Sequence, residues 1–448
     1  MNARLLPLVA AVGLFTATAS QAEDLMHWYK AALAYDASFR SAQSQLQANE
    51  AKADQALAGV RPTASVSMGT SRTQLGLIAD APNSLGTLPY DRDYGSSTAT
   101  VSASQPLYRP ANLRTLEAAE LQRQQARLQV KSAEQDLMIR VTQAYFDVLA
   151  SQDTLTFVRA QKQSVAEQLA SAQRNFEVGT ATITDTREAQ ARYDLVLAQE
   201  LASANDLQVK QLAFDQLVGQ STAKPNVMSQ LQSLSPLEPS SDSEWVKLTM
   251  AQQVAVIKAR LDVQVAEKEL AKAKAAQLPT LDLQASSSFT HLINGSSTSS
   301  TIQGKSISST LGVALSYPLY AGGALTKREM ETASLLAKSQ ADLQAIERNA
   351  SQATRTAFYA VQSGLAQVKA LEAAENSSQV ALDANKLGYS VGVRINIDVL
   401  NSQSQLFDTK AKLAKARYDV VMATLKLKLA SGVLSVQDLE AVNRLTQP

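Results

Sequence analysis

The spacing of apolar residues along the chain predicts mostly helix. Residues 111–178 contain no Gly or Pro and are rich in Ala, Gln, Leu and Arg, which favour helix. Their apolar positions recur at steps of three and four, as in a coiled-coil seam interrupted at Ser151 and Lys162. The seam residues are Leu137, Val141, Ala144, Val148, Leu155, Val158, Val165, Leu169, Ala172 and Phe176. The pattern predicts a single helical rod of roughly 100 Å.

Shorter helices and strand-like segments flank this rod. The predicted shorter helices are 24–58, 183–218, 244–278 and 395–431. The apolar period changes to two in four further segments, 63–73, 98–108, 280–291 and 309–320, which predicts strands. Polar stretches rich in Gly, Ser and Asn, 74–94 and 292–307, are predicted to be the loops that join each pair of strands.

The chain contains the same unit twice. FEVGTATITD at 176–185 recurs as YSVGVRINID at 389–398, a shift of 389 − 176 = 213. Matching landmarks in the same order at nearly constant spacing indicate a tandem repeat. The predicted division is a signal peptide at 1–22, a first repeat at 23–219, an irregular equatorial linker at 220–243, a second repeat at 244–432 and a C-terminal equatorial segment at 433–448.

The N-terminus and the charge balance restrict the function classes. Arg4, the apolar stretch 5–19 and the small-residue end SQA are typical of a secretory signal peptide that is cut after Ala22. Its removal leaves 42 − 1 = 41 basic residues against 41 acidic ones, so nothing favours a nucleic-acid partner. The chain has no cysteine, which excludes disulfides and thiolate metal sites. These features favour an exported protein of the bacterial envelope.

The four strands raise the question of a membrane. Each is about 11 residues long, the length of a transmembrane β-strand, yet four strands cannot close a barrel because the smallest known use about 8. Three chains would together supply 12 strands, and their helices would form a second tube in the periplasm. On pattern alone, a soluble helical bundle with surface hairpins remains an alternative.

Several motifs carry a family resemblance. AYFDVL, FEVGTATITD, AQLPTLDL, YPLYAGG, YSVGVRINIDVL and ARYDVVMATLKLK resemble the TolC family of outer-membrane efflux proteins, in the right order over the mature chain. The resemblance implies a mixed, mainly α fold: a homotrimer with a 12-stranded β-barrel in outer-membrane lipid, continuous with a long periplasmic α-helical barrel. It also implies a passive exit duct of a tripartite efflux pump or type I secretion system. Its implied partners are a periplasmic adaptor and an inner-membrane pump of RND or ABC type, and no cofactor is implied.

The resemblance also implies roles for the two Val-Gly turns. The positions that match the adaptor-binding tips are Val178, Gly179, Thr180, Val391, Gly392 and Val393. Asp398 matches a ring of aspartates that constricts the entrance. Tyr389 and Arg394 match residues that hold the entrance shut by bonding an aspartate on the neighbouring hairpin, here Asp185. The structural alternative for both aspartates is helix capping.

Two positions depart from the family's best-known member. Asn401 stands where that member has a second gate aspartate, and Arg174 stands where it has an uncharged residue. The expected gate is therefore less acidic, with a weaker block by cations.

Other function classes fit the sequence less well. The chain has only two histidines, His27 and His291, and it shows no nucleophile elbow, phosphate loop or metal-ligand cluster, so an enzyme is not expected. A diffusion porin would be mostly strand. A periplasmic coiled-coil adaptor or structural protein has long helical hairpins and is the main alternative, although such a protein does not need four alternating strands.

Overall fold

The structure is a computed structural model that describes residues 24–77, 90–221, 225, 237–294 and 304–444, with side chains except at 77 and 90–92. The predicted signal peptide and most of the predicted linker lie outside these residues. The described helices are α1 (Leu25–Tyr35), α2 (Ala37–Ala58), α3 (Pro110–Glu177), α4 (Ile183–Val218), α5 (Asp242–Gln252), α6 (Val254–Ala275), α7 (Ala324–Ser390), α8 (Asn396–Ser431) and α9 (Val436–Arg444). The strands are β1 (Thr63–Leu77), β2 (Tyr90–Tyr108), β3 (Thr280–Ile293) and β4 (Gly304–Ser316).

The long helix predicted over 111–178 is confirmed as α3, and α7 is its counterpart in the second half. Most of its predicted seam is buried. The two polar interruptions are satisfied by α4: the Ser151 hydroxyl donates to Asp206 at 2.8 Å and the Lys162 ammonium to Glu200 at 2.5 Å. The prediction was wrong for Phe176, which is 43% exposed because the chain turns immediately after it.

Each helix that precedes a strand pair is broken once, which the sequence pattern did not predict. The breaks fall at Asp36 and at Gln253, equivalent positions since 253 − 36 = 217. The Asp36 side chain accepts a hydrogen bond from the Phe39 amide, and the Gln253 side chain accepts one from the Val256 amide. Each break therefore begins a new helix, whose first amides need a side-chain acceptor.

The strands differ in length from the predictions. β1 ends at Leu77 and β2 begins at Tyr90, so both run into the stretch 74–94 that was predicted to be a loop. An exposed ion pair between Arg72 and Asp93 crosses the two strands in this region. β4 begins at Gly304, before the predicted 309, and ends at Ser316, before the predicted 320. Polar residues interrupt the alternation at the starts or ends of these strands, whereas Tyr317 and Leu319 continue it beyond the end of β4.

The four strands form one antiparallel sheet in the order β1-β2-β3-β4. Residues that share one face are mainly apolar: Val66, Met68, Val101, Phe289, Ile307, Leu311, Val313 and Leu315. The opposite face carries hydroxyl pairs that bond across the strands, including Ser65 with Ser102 at 2.8 Å and Thr100 with Ser288 at 3.0 Å. The apolar face is not covered, since Met68 is 80% and Leu311 76% exposed.

The chain divides into two compact units. The first contains residues up to 40, 133–249 and from 351 onward, and an aromatic cluster of Trp28, Tyr145, Phe146, Phe214 and Tyr418 lies in its core. Helix α9 contacts α1 here, so the C-terminal segment is more regular than predicted. The second unit contains 41–132 and 250–350, where Arg109 forms a bidentate ion pair with Asp282 of β3.

No helix within the described ranges is long and apolar enough to cross a membrane. The same ranges contain no group of His, Cys, Asp or Glu side chains placed to hold a metal ion. Of the two histidines, His27 lies in α1 against Trp28, and His291 lies in β3 opposite Ser97 and Lys305.

The Asp36 carboxylate predicts a pH-dependent stability. Hydrogen bonds from Arg140 lower the pKa of Asp36 below its ordinary value. The ion pair therefore stabilises the fold above the unfolded-state pKa of about 4, and this stabilisation is lost as the pH falls through the lower folded-state pKa. We expect Asp36→Asn, which keeps a capping oxygen, to destabilise the protein by about 1–2 kcal/mol at pH 7 and much less in acid.

The measurement is thermal unfolding by circular dichroism at pH 7 and at about pH 3. Gln253→Ala is the matched control, because it removes the uncharged cap at the equivalent break. A difference in Tm between wild type and Asp36→Asn that stays the same at both pH values would contradict the ion-pair argument.

Candidate functional site

The two Val-Gly turns have the same backbone. Gly179 and Gly392 have φ values of 77° and 76°, a left-handed conformation that favours glycine. In the first turn the Asn175 carbonyl accepts from the Thr180 and Ala181 amides at 2.8 and 3.1 Å. In the second, the Gly388 carbonyl accepts from the amides of residues 393 and 394 at 2.9 and 3.1 Å. Each turn therefore satisfies the end of a long helix and reverses the chain into a shorter one.

The six predicted tip residues lie at these turns and are all exposed. Val178, Val391 and Val393 are between 65% and 79% exposed. The first residues after the turns, Ile183 and Ile395, are also largely exposed. Each turn therefore presents branched apolar side chains that are largely exposed within the described chain.

The two equivalent aspartates do different work. Asp185 forms a capping box with Thr182: its carboxylate accepts from the Thr182 amide at 2.9 Å, and its own amide donates to the Thr182 hydroxyl at 3.2 Å. Asp398 has no such partner, since the N-cap of α8 is Ile395. The Asp398 carboxylate instead lies 3.7 Å from the Arg394 guanidinium. The capping alternative therefore holds for the first aspartate and not for the second.

The structure does not bring Asp185 to the two residues that were expected to bond it. Within the chain, Arg394 faces Asp398, and the Tyr389 hydroxyl faces the Asn175 amide nitrogen at 3.4 Å. The Tyr389 ring packs against Leu382, Val399 and Leu406. Within the chain one oxygen of the Asp185 carboxylate, Oδ2, accepts from the amide and the hydroxyl of Thr182. The expected contact with Tyr389 and Arg394 stays a prediction about the neighbouring hairpin.

Asn401 has a cationic neighbour that sequence reasoning missed. Arg192 of α4 donates to the Asn401 side-chain oxygen at 2.7 Å. Asn396, 1% exposed, accepts from Gln168 and donates to the Asp185 carbonyl at 3.4 Å. The signal for Asn396 was a departure from the repeat, since its counterpart at 396 − 213 = 183 is an isoleucine. Arg174, the remaining predicted gate residue, is exposed on the last turn of α3.

Further along the helices, α3 and α8 meet through a buried polar contact. The Tyr418 hydroxyl donates to the Asp153 carboxylate at 2.7 Å, and the Tyr418 ring stacks on Phe146 with ring centroids 5.5 Å apart. Burial raises the pKa of Asp153, and burial followed by the charge of Asp153 raises the pKa of Tyr418. Gln161 donates to Ser404 at 3.1 Å nearer the turns. The two hairpins of one chain are therefore joined by several polar bonds.

These features define a class of protein: paired helical hairpins with apolar tips, a charged position beside one turn and an exposed antiparallel sheet. Outer membrane efflux proteins are the family whose sequence pattern matches the chain, over residues 28–220 and again over 245–433. The chain belongs to this family and is an outer-membrane protein. Enzymatic function is not a property of the channel proteins that it resembles.

Relatives of established name cover most of the chain. The outer membrane protein TolC of Escherichia coli K12 is 29% identical, over 99% of this chain and 90% of that protein. TolC of Vibrio cholerae is 32% identical, over 77% of this chain and 79% of that protein. The alkaline protease secretion protein AprF of Pseudomonas aeruginosa is 31% identical, over 80% and 74%. The relatives thus include proteins named for secretion as well as TolC itself.

Solved structures share the fold at lower identity. The outer membrane protein VceC of Vibrio cholerae has a TM-score of 0.74 at 20% identity, covering 91% of this chain and 96% of that one. The CmeC outer membrane channel of Campylobacter jejuni has a TM-score of 0.77 at 15% identity, covering 95% and 89%. The fold is therefore that of TolC-like outer membrane channels, mainly helical with a four-stranded sheet.

The different bonding of the two aspartates predicts different effects on stability. Asp185→Ala removes the capping box, so we expect a loss of about 1 kcal/mol. Asp398→Ala removes one exposed ion pair, so we expect a loss well below about 1 kcal/mol. Thermal unfolding of the purified variants measures both, and each is the other's matched control. Equal losses would show that the aspartates are equivalent despite their different partners.

Proposed function

We propose that this protein is a passive exit duct of the outer membrane. As a homotrimer it would carry cargo outward for an inner-membrane pump of RND or ABC type, to which a periplasmic adaptor joins it. One observation carries the proposal: a sheet with two open edges and an exposed apolar face belongs to the same chain as long helical hairpins with apolar tips. The pump supplies the energy, and the duct needs no cofactor.

The sheet supports insertion into lipid. In β4 the outward residues Ile307, Leu311 and Val313 are 60–76% exposed, which would be costly in water and favourable in a bilayer. Among the described residues, strands β1 and β4 each pair with one neighbour, and unpaired backbone groups are not tolerated in lipid. The edge of β4 can pair with the edge of β1 in the next copy. Three copies would give a closed barrel of 12 strands, whereas a single chain falls short of the about 8 needed.

The helices support the same assembly. Helix α7 carries an exposed seam at steps of three and four: Tyr359, Ser363, Ala366, Ala370, Ala373, Ser377, Val380, Ala384 and Leu387. Helix α4 carries a second: Ala191, Leu195, Ala198, Ala202, Asn205, Val209 and Leu212. Apolar seams of this kind are normally buried against a partner helix. Two different seams on one chain favour a head-to-tail contact, which closes into a ring.

The tandem repeat predicts which residues of neighbouring copies meet. We propose that its two units span 23–219 and 244–432, on either side of the linker 220–243. The stacked pair Phe146 and Tyr418 joins α3 to α8 inside the chain. Its counterparts are 146 + 213 = 359 and 418 − 213 = 205. Tyr359 is 55% exposed and Asn205 is also exposed. We therefore propose that Tyr359 of one copy meets Asn205 of the next.

The turns are proposed as the periplasmic entrance. The exposed valines at 178, 391 and 393 offer an apolar surface to the adaptor. Three-fold symmetry would gather Asp398, with Arg394 and Tyr389 beside it, into a ring. Asn401 with its Arg192 neighbour, together with Arg174, supports a gate less acidic than one with two aspartates per chain. Asp185 would contribute by fixing the start of α4.

The cargo class follows from relatives of both kinds. TolC proteins and a protein named for protease secretion match the chain at similar identity. We propose that the duct serves efflux, type I secretion or both, since the polar face of its sheet consists mainly of small hydroxyl residues. A periplasmic adaptor or structural protein is the second candidate, favoured only by the long hairpins.

Planar-bilayer recordings test the gate. We expect small, cation-selective currents from the detergent-extracted wild type, and larger currents when Arg394→Ser and Asp398→Ala remove the ion pair beside the second turn. An exposed pair contributes less than about 1 kcal/mol to stability, so its removal should open the entrance measurably without unfolding the protein. The control is Lys412→Ser with Asp408→Ala, another i, i+4 pair on α8.

A wild type that forms no channels and behaves as a soluble monomer without detergent would exclude the duct and favour the adaptor. Currents that rise equally in both double variants would remove the gate from the second turn while leaving the duct in place.

Thiol cross-linking tests the ring. The chain has no cysteine, so Tyr359→Cys with Asn205→Cys introduces the only thiols. A short bifunctional thiol reagent should join the proposed neighbours and give products of two and three chain masses on a denaturing gel. The control replaces Asn205→Cys with Leu201→Cys, a 68% exposed residue off the α4 seam. Cross-linking that is no better than the control, or products of four chains or more, would contradict this register.

A further inference from the structure

We infer that Gly388 is a positioning residue for the gate: because it has no side chain, Arg394 can lie across the end of α7 and face Asp398. The inference deepens the proposed function and rests on it, since it concerns a residue that acts through Arg394. Gly388 lies in the last turn of α7, two residues before the helix ends at Ser390.

The room needed by the Arg394 side chain, and not the backbone conformation, explains why residue 388 is a glycine. The glycines with positive φ include Gly392 in the turn, but Gly388 is not among them. A Cβ atom built on Gly388 would lie 2.6 Å from Cγ and 3.3 Å from Cβ of Arg394. The first distance is shorter than real Cβ contacts allow, and glycine weakens a helix relative to alanine. The helix therefore gives up stability at the one place where the Arg394 side chain crosses it.

The backbone around Arg394 leaves little room for another adjustment. The amide of Arg394 donates to the Gly388 carbonyl at 3.1 Å, as does the amide of Val393 at 2.9 Å. These bonds hold the Arg394 backbone close to Gly388. A side chain at 388 would therefore have to be accommodated by rotation of the Arg394 side chain to another staggered position. Such a rotation would carry the guanidinium away from Asp398.

The first turn supports this explanation, because its large and small residues occupy the opposite positions. Its backbone bonds match, with the Asn175 carbonyl accepting from the amides of Thr180 and Ala181. The positions equivalent to Gly388 and Arg394 are 388 − 213 = 175 and 394 − 213 = 181. There the residue on the long helix is the large Asn175, and the residue that follows the turn is the small Ala181. Each turn thus has one large and one small residue at this contact, in opposite order.

The experiment is a double-mutant cycle of single-channel conductance in planar bilayers, with wild type, Gly388→Ala, Arg394→Ala and the double variant. If Gly388 acts through Arg394, Gly388→Ala alone should raise the conductance nearly as much as Arg394→Ala. The ratio of open to closed entrances should rise by up to about fivefold for each Arg394–Asp398 ion pair lost. In the Arg394→Ala background, Gly388→Ala should add little, because Cγ and the guanidinium are gone and only the 3.3 Å contact with Cβ remains.

Gly364→Ala is the matched control. Gly364 lies in the same helix, and a Cβ there would lie 2.8 Å from the Val420 side chain, away from Arg394. We expect this variant to lower the Tm without an effect that depends on Arg394. Thermal unfolding of Gly388→Ala should show an unchanged or higher Tm, which separates a moved side chain from a damaged helix.

The outcomes separate this inference from the proposed function. If Arg394→Ala opens the channel and Gly388→Ala does not, Gly388 has no positioning role and the gate stands. If Gly388→Ala opens the channel equally with and without Arg394, it acts on the helix and the inference is overturned. If Arg394→Ala itself changes nothing, or no channel forms, the proposed gate or the proposed duct fails first.

Discussion

Backbone hydrogen bonding at the two outer edges of the sheet is the constraint on which the rest of the architecture depends. Within the described residues β1 and β4 each have one strand neighbour, so one side of each strand offers donors and acceptors that the chain itself does not satisfy. The apolar face between these edges makes water a poor solvent for the sheet. The helices α4 and α7 likewise carry seams that are exposed within the chain. In the proposed assembly, a further copy of the chain would pair the open sheet edges and cover the exposed helical seams.

The sequence was sufficient for the helices and less so for the strands and the site. A long stretch without Gly or Pro identifies α3 because helix needs only local bonds and a regular apolar seam. The break at Asp36 was missed because an aspartate in a helical pattern shows its capping role only when its partner amide is known. Strand ends were misplaced where polar residues interrupt the alternation, and at the end of β4, where the alternation continues beyond the last paired residue.

Several contacts of the site depend on three-dimensional proximity that sequence spacing does not encode. Arg192 and Asn401 lie on different helices, and only their packing brings a cation to that position. The sequence alone does not explain Gly388, because the constraint on it is the volume of a side chain six residues later. The repeat did contain a usable signal. Where the two units have the same backbone, a change of residue type at equivalent positions indicates a different side-chain role. At the turns an isoleucine becomes Asn396 and an alanine becomes Arg394.

The hydroxyl-covered face of the sheet has a consequence for whatever moves past it. Serine and threonine both donate and accept, and pairs such as Ser65 with Ser102 already satisfy one another across the strands. A passing solute that donates or accepts hydrogen bonds therefore meets many weak, equivalent partners and no strong binding site. In the proposed ring, such a wall gives low friction and short residence times, so discrimination between cargoes has to occur before they reach it.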